Sequence, residues 1–215
     1  MTENHFDSKA GRWDDHTRRA RAAAVAVAIG EQVPLAHVRD LFEFGGGTGL
    51  LSLALRPRPP RVLLTDTSNG MLEIVRAKIA AEGLTGWQAS PLDITAAEVP
   101  ESLTAEFDLV ASMLALHHVR DVPTLLGRFT GLLRPGGWVA LTDLDDDDGH
   151  FHHPDTHRHH DGFSRAALAE WLTDAGFAGI HFSTPYVQTK VIDGVERDFP
   201  LFLAVAQTAG GPGAD

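Results

Sequence analysis

The chain has 215 residues, 43% apolar and 22% charged, the usage of an ordinary globular domain large enough to bury about 70% of its unfolded surface without staples. It has no cysteine, which excludes disulfides and thiolate metal sites. A net charge of −11, with no block of Lys or Arg, repels a phosphate backbone and argues against DNA or RNA as substrate.

The segment MTENHFDSKAGRWDD lacks the basic and then apolar regions of a secretory signal, and the apolar run from Ala20 to Ile29 carries Arg21 and is too short to span a bilayer. A cytoplasmic chain with no membrane partner is the expectation. Arg39 to Phe44 reads as a short strand broken by glycines, and Leu50 to Leu55 as the helix after it. Val62 to Thr65 is a second strand. Met71, Val75 and Ile79 then recur at helical spacing up to Gly83. Trp87 to Pro91 is a third strand, and Phe107 to Leu114 is a continuous apolar run, as in a strand covered on both faces. Val122, Leu125, Leu126, Phe129, Leu132 and Leu133 form a helical stripe that Arg134-Pro135-Gly136-Gly137 ends. Trp138 to Thr142 returns as a strand. Ser164 caps a helix buried through Leu168, Trp171, Leu172 and Ala175 and closed by Gly176. Strands near Ile180 to Thr184 and Leu201 to Ala206 follow, and the Gly/Pro/Ala tail from Ala209 is expected to be disordered. Such alternation predicts an α/β, doubly wound, mostly parallel sheet, with ligands bound beyond the carboxyl ends of its strands.

Three carboxylates stand at those ends. Glu43-Phe44-Gly45-Gly46-Gly47-Thr48-Gly49 follows the first strand, its glycines allowing a tight turn and leaving bare main chain for a ligand, with unpaired N–H groups at the helix start beyond. Glu43 can accept hydrogen bonds from cationic or hydroxyl groups. The spacing fits a dinucleotide fingerprint poorly: counted from Gly45 the third position is Leu50, and counted from Gly47 it is a merely tolerable Ser52. No lysine makes it a P-loop, and an adjacent acid repels pyrophosphate. Asp66 ends the second strand, where a carboxylate can accept both ribose hydroxyls or else cap the next helix. Asp93 follows the third strand and can accept from an adenine amino group while Ile94 covers the ring; the alternative is a simple turn residue.

EFGGGTG, the strand ending at Asp66, the Asp93-Ile94 pair, Phe107-Asp108-Leu109-Val110 and LLRPGGWVALTD together resemble the class I S-adenosylmethionine-dependent methyltransferases, from about Leu41 to Asp143. The resemblance implies a Rossmann-like seven-stranded sheet whose last strand is antiparallel. It implies that Glu43, Gly45 and Gly47 line the methionine and ribose, that Asp66, with Thr67 beside it, holds the ribose, and that Asp93 and Ile94 hold the adenine. Ser112 and Met113 would lie along the cofactor. The segment around Phe6 and Trp13 is similar to the helix that lids the cofactor in small members, giving a lid over 1–35, a catalytic domain over 36–207 and a tail over 208–215. The stretch Ser112 to His118, after the fourth strand, stands where amino-methylating members acting on nucleobases or glutamine carry an Asn-Pro-Pro-Tyr type motif, and with Leu116-His117-His118 it is closer to small-molecule methyltransferases with a Leu-His-His signature. The cofactor would be S-adenosyl-L-methionine, the product S-adenosylhomocysteine, and the partner a small-molecule acceptor. The oligomeric state is unreadable from sequence.

Methyl transfer needs alignment and, for a protonated acceptor, a base. His117 is a candidate, since imidazole titrates near neutrality; the alternative is a packing role at a strand end. The stretch DDDDGHFHHPDTHRHHDGF, Asp145 to Phe163, holds six of the 12 histidines. Three readings stay open: a solvated loop, a wall in which His117, His152 and His160 meet the acceptor, or a site for a divalent metal such as zinc, nickel or manganese. His152 and His160 also resemble histidines of a subset of small methyltransferases. A non-catalytic cofactor- or metal-binding protein on the same fold is the alternative function.

Overall fold

The computed structural model describes residues 10–11, 13–96, 99–146, 149–151 and 158–210. Helix α1, His16–Gln32, precedes β1, Asp40–Phe44, and α2, Leu50–Ala54. They are followed by β2, Arg61–Thr65, α3, Asn69–Ala81, and β3, Trp87–Ser90. Then come β4, Phe107–Met113, α4, Val122–Leu132, β5, Leu133–Leu144, and α5, Arg165–Asp174. The chain closes with β6, Phe177–Ile192, and β7, Val195–Thr208.

These strands make one seven-stranded sheet in the order β3-β2-β1-β4-β5-β7-β6. The first five run parallel, and β7 is antiparallel to both β5 and β6, as the sequence led us to expect. Every residue of β1 is buried. Alternate side chains serve opposite layers: Phe42 and Val110 join a cluster with Phe129, Leu168 and Leu172 of α4 and α5, whereas Leu41 and Leu109 join Val25, Ile29, Leu51, Leu72 and Val75 of α1, α2 and α3. The order reverses between β1 and β4, so a crevice opens beyond their carboxyl ends.

Three boundaries depart from expectation. The Pro-Gly-Gly stretch ends α4 but opens no separate loop, because Leu133 already pairs with Phe107 and a register shift then absorbs the extra residues before Trp138. The final hairpin is far longer than its apolar stretches suggest. Along β6, Tyr186, Gln188, Lys190 and Ile192 are half-buried while Val187, Thr189 and Val191 are exposed, an alternation that polar inward residues disguise. Asp193-Gly194 turns that hairpin with both φ values positive, 52° and 79°. Finally, the N-terminal segment is no separate layer, since α1 lies in the same core through Val25 and Ile29. Residues 211–215 lie outside the described residues; Ala209, where the tail begins, accepts from the Gly136 N–H at 2.9 Å.

Candidate active site

A cavity of about 650 Å³ occupies the crevice, within the range of small-ligand sites. Glu43, Asp66 and Asp93, from three successive strand ends, all line it. So do Gly45, Gly47, Thr67, Met113, His117 and Trp13.

The glycine turn is built to support itself and leave its surface bare. Gly46 N–H donates to the Thr65 carbonyl at 2.9 Å, Gly47 N–H to Asp66 Oδ2 at 2.8 Å and Gly49 N–H to the Gly46 carbonyl at 2.8 Å. With these donors engaged inside the protein, the loop offers a phosphate little. Gly45 has φ +61° and a Cβ there would lie 2.4 Å from that of Ala115, so only glycine fits. A Cβ on Gly47 would meet only the Trp13 indole nitrogen, at 3.9 Å; it faces the open space between loop and indole. At the start of α2, Ser52 gives both hydroxyl and backbone N–H to the Glu43 carboxylate.

Glu43 is 2% exposed. Burial is the main cause that pushes its pKa up, to about 7; Ser52 pulls it down, Asp66 raises it further and Lys78 lowers it. Asp66 does not cap α3, a role taken by Ser68, whose hydroxyl accepts from Met71 N–H. Its second oxygen accepts from Ser68 N–H at 2.8 Å, so both oxygens help shape the loop while lining the cavity. Asp93 accepts from the backbone N–H and hydroxyl of Thr95 at 2.8 and 2.6 Å, a side-chain turn that fixes its carboxylate at the rim.

Two residues expected at the cofactor, Ile94 and Ser112, do not line the cavity. Ile94 is fully buried in the α4 layer, and its carbonyl accepts from Arg128; Leu92 and Thr95 line the cavity instead. Ser112 is fully buried and does not line the cavity, whereas Met113 does, because neighbours on a strand point to opposite faces.

At the other end, β4 runs into Leu114, whose φ of +56° is unusual for a branched residue and marks strain at the site, then into a 3₁₀ turn, Leu116–His118. His117 is 2% exposed and lines the cavity. Its Nδ1 lies 2.8 Å from Oδ1 of Asp143 on β5, and its backbone N–H donates to Oδ2 at 3.2 Å. Asp143 is fully buried. Burial alone would raise its pKa, but the His117 imidazole and the hydrogen bonds from His117 and Leu144 prevail, and the carboxyl lies below its ordinary value. An ionised Asp143 accepts from the Nδ1–H and so fixes the orientation of the ring. Sequence reasoning left Asp143 unread as a partner of His117.

His160 does not line the cavity: its Nε2 lies 3.0 Å from the Val119 carbonyl and its ring stacks near Phe163. With His159 it donates a backbone N–H to the His117 carbonyl, at 3.2 and 2.8 Å, so the two buttress the turn that carries His117. His152 and Phe6 lie outside the described residues. No three His, Asp or Glu side chains group to hold a metal ion among the described residues.

The amino-terminal wall was legible only through Trp13. Asp14 is the fastener: it accepts from the Thr48 hydroxyl at 2.5 Å and pairs with Lys78 at 2.5 Å, tying the segment to the glycine loop. Asp15 caps α1 by accepting from Arg18 N–H, and the Arg18 guanidinium sits 4.3 Å from the Trp13 ring. Arg18, Arg21, Gln188, Lys190 and Phe151 complete the wall, all missed in the sequence. The Asp193-Gly194 turn was the signal that would have extended β6 to Gln188 and Lys190.

A family model described as a methyltransferase domain matches residues 14–181. An uncharacterized methyltransferase of Mycobacterium tuberculosis is 37% identical over 109 residues, 51% of this chain and 52% of that one. A ubiquinone biosynthesis O-methyltransferase of Xylella fastidiosa is 28% identical over 184 residues, 77% of this chain and 73% of its own. The chain spans about half the length of several curated relatives that it matches. Among solved structures, a SAM-dependent methyltransferase from Aquifex aeolicus superposes with a TM-score of 0.64 at 15% identity, covering 94% of this chain and 98% of that one, a likeness of fold. The family match over most of the chain agrees with the sheet order and the glycine turn, and the chain belongs to the class I S-adenosylmethionine-dependent methyltransferases.

Proposed function

We propose that this chain transfers the methyl group of S-adenosylmethionine to a small organic acceptor, in the cytoplasm, with His117 as the base. The observation that carries the reading is that Glu43, Asp66, Asp93 and the bare face of Gly47 line one cavity with His117, which the buried Asp143 holds from behind. The fit is chemical: carboxylates suit the hydroxyls, amino groups and positive charge of a sulfonium nucleoside, and a loop whose N–H groups are engaged suits a ligand without phosphate. Asp66 with Thr67 would hold the ribose, Asp93 with Leu92 the adenine, and Glu43, Gly45 and Gly47 the methionine side, under Trp13.

When bound, the cofactor supplies a methyl carbon whose bond to sulfur breaks, leaving the electron pair on sulfur, as the acceptor atom forms its new bond. This chain's residues do the rest. Asp14, by fastening the amino-terminal wall to Thr48 and Lys78, excludes water from the slot. Asp143 fixes the His117 ring, and Nε2 takes the proton that a neutral oxygen acceptor must lose. The printed activity of the Xylella fastidiosa relative, O-methylation, supports oxygen as the receiving atom. No helix among the described residues is long and apolar enough to cross a membrane. Calorimetric titration with S-adenosylhomocysteine and with NADH tests the cofactor: the first alone is expected to bind tightly, and NADH binding alone would overturn the reading.

A further inference from the structure

Arg21 lines the cavity from α1 and is only 8% exposed. Its Nη1 donates to the neutral amide oxygen of Gln188 on β6 at 3.1 Å, and its Nε is buried without a hydrogen-bond partner among the described residues. A buried donor left unmade is costly, more so on a charged group, and a structure keeps one where a ligand completes it. Arg18 and Lys190 line the same cavity, each with a protein partner, Asp15 and the Phe151 carbonyl. Burial and the neighbouring Arg18 lower the Arg21 pKa to about 10, while Tyr186, Asp15 and Asp143 support its charge, so the group stays cationic at neutral pH.

The second observation is His117, which lines the same cavity and is held by Asp143, a buried carboxylate within the electrostatic reach of Arg21. An acceptor carboxylate is already ionised and needs no base. A base beside an anion holder therefore points to a molecule with both a carboxylate and a separate hydroxyl. We propose that the acceptor is a small hydroxy-carboxylic acid, its carboxylate bound by the Nε edge of Arg21 between α1 and β6, and its hydroxyl turned to His117. This deepens the methyl-transfer reading and rests on it. The planar guanidinium matches a carboxylate, and Gln188 holds the fork in place.

The test is calorimetric titration of the full chain, saturated with S-adenosylhomocysteine, using lactate and salicylate against their amides, lactamide and salicylamide. The acids are expected to bind at least about tenfold more tightly than the amides. Arg21→Met should abolish that preference and leave S-adenosylhomocysteine affinity within about twofold, and Arg21→Lys should restore part of it. Equal binding of acid and amide, or no binding of either, overturns the proposal. So does an Arg21→Met variant that loses S-adenosylhomocysteine affinity by a comparable factor, since Arg21 would then serve the cofactor's own carboxylate. If Arg21→Met does not fold, the acid–amide comparison on the unaltered chain decides alone. Failure of the unaltered chain to bind S-adenosylhomocysteine would instead sink the methyl-transfer reading beneath it.

Discussion

If Glu43 holds the cofactor as proposed, affinity is expected to depend on pH in a window where few carboxylates titrate. Its pKa in the ligand-free fold is about 7, against an ordinary 4.5. An ionised Glu43 attracts a cationic ligand and a protonated one does not, so affinity for S-adenosylhomocysteine, which carries an ammonium group, should follow the ionised fraction. That fraction is about 90% at pH 8 and about 10% at pH 6, a change of about tenfold or 1.4 kcal/mol. Titration calorimetry across this range should show the fall, with proton release on binding near pH 6. Glu43→Gln should bind more weakly at pH 8 and lose most of the slope. The same group acts on stability with a defined sign. The native state holds the proton up to pH 7 while the unfolded chain releases it near 4.5, so stability falls as pH rises through that window, by about 3 kcal/mol at most. Flat affinity between pH 6 and 8 in the unaltered chain, or an equal slope in Glu43→Gln, would refute the reasoning.

Other consequences follow from the same geometry. Asp143→Ala leaves the His117 and Leu144 donors without their buried acceptor and should cost about 3 kcal/mol in urea unfolding. Gly47→Ala forces a Cβ into a left-handed turn at φ +54° and into the gap beneath Trp13; stability should drop by about 1–2 kcal/mol, and S-adenosylhomocysteine should bind more weakly by calorimetry. Asp14→Ala releases the amino-terminal wall from Thr48 and Lys78, and should speed amide exchange in residues 13–20 and the dissociation of S-adenosylhomocysteine by about tenfold.

The sequence was most readable where chemistry and backbone coincide. Gly45 and Gly47 had to turn, and Glu43 closes a strand while Asp66 and Asp93 stand just past theirs, so strand ends and carboxylates located each other. The misreadings are of phase. Ile94 and Ser112 adjoin residues that do face the cavity, and one position on an extended chain is the difference between ligand and core. His160 looked chemical by composition, but a carbonyl of the neighbouring turn claims its ring nitrogen. Arg21 and Gln188 were hidden for another reason: 167 positions apart, they meet only because α1 packs across the sheet beside β6, a pairing no local pattern records.

The account depends most on three carboxylates sharing one nucleoside slot. Its most direct test is S-adenosylhomocysteine affinity in Asp66→Ala and Asp93→Ala, measured by calorimetry with circular dichroism to verify folding. Each substitution is predicted to weaken binding by about 1–3 kcal/mol, roughly tenfold to a hundredfold. Folded variants that bind as tightly as the unaltered chain would contradict it.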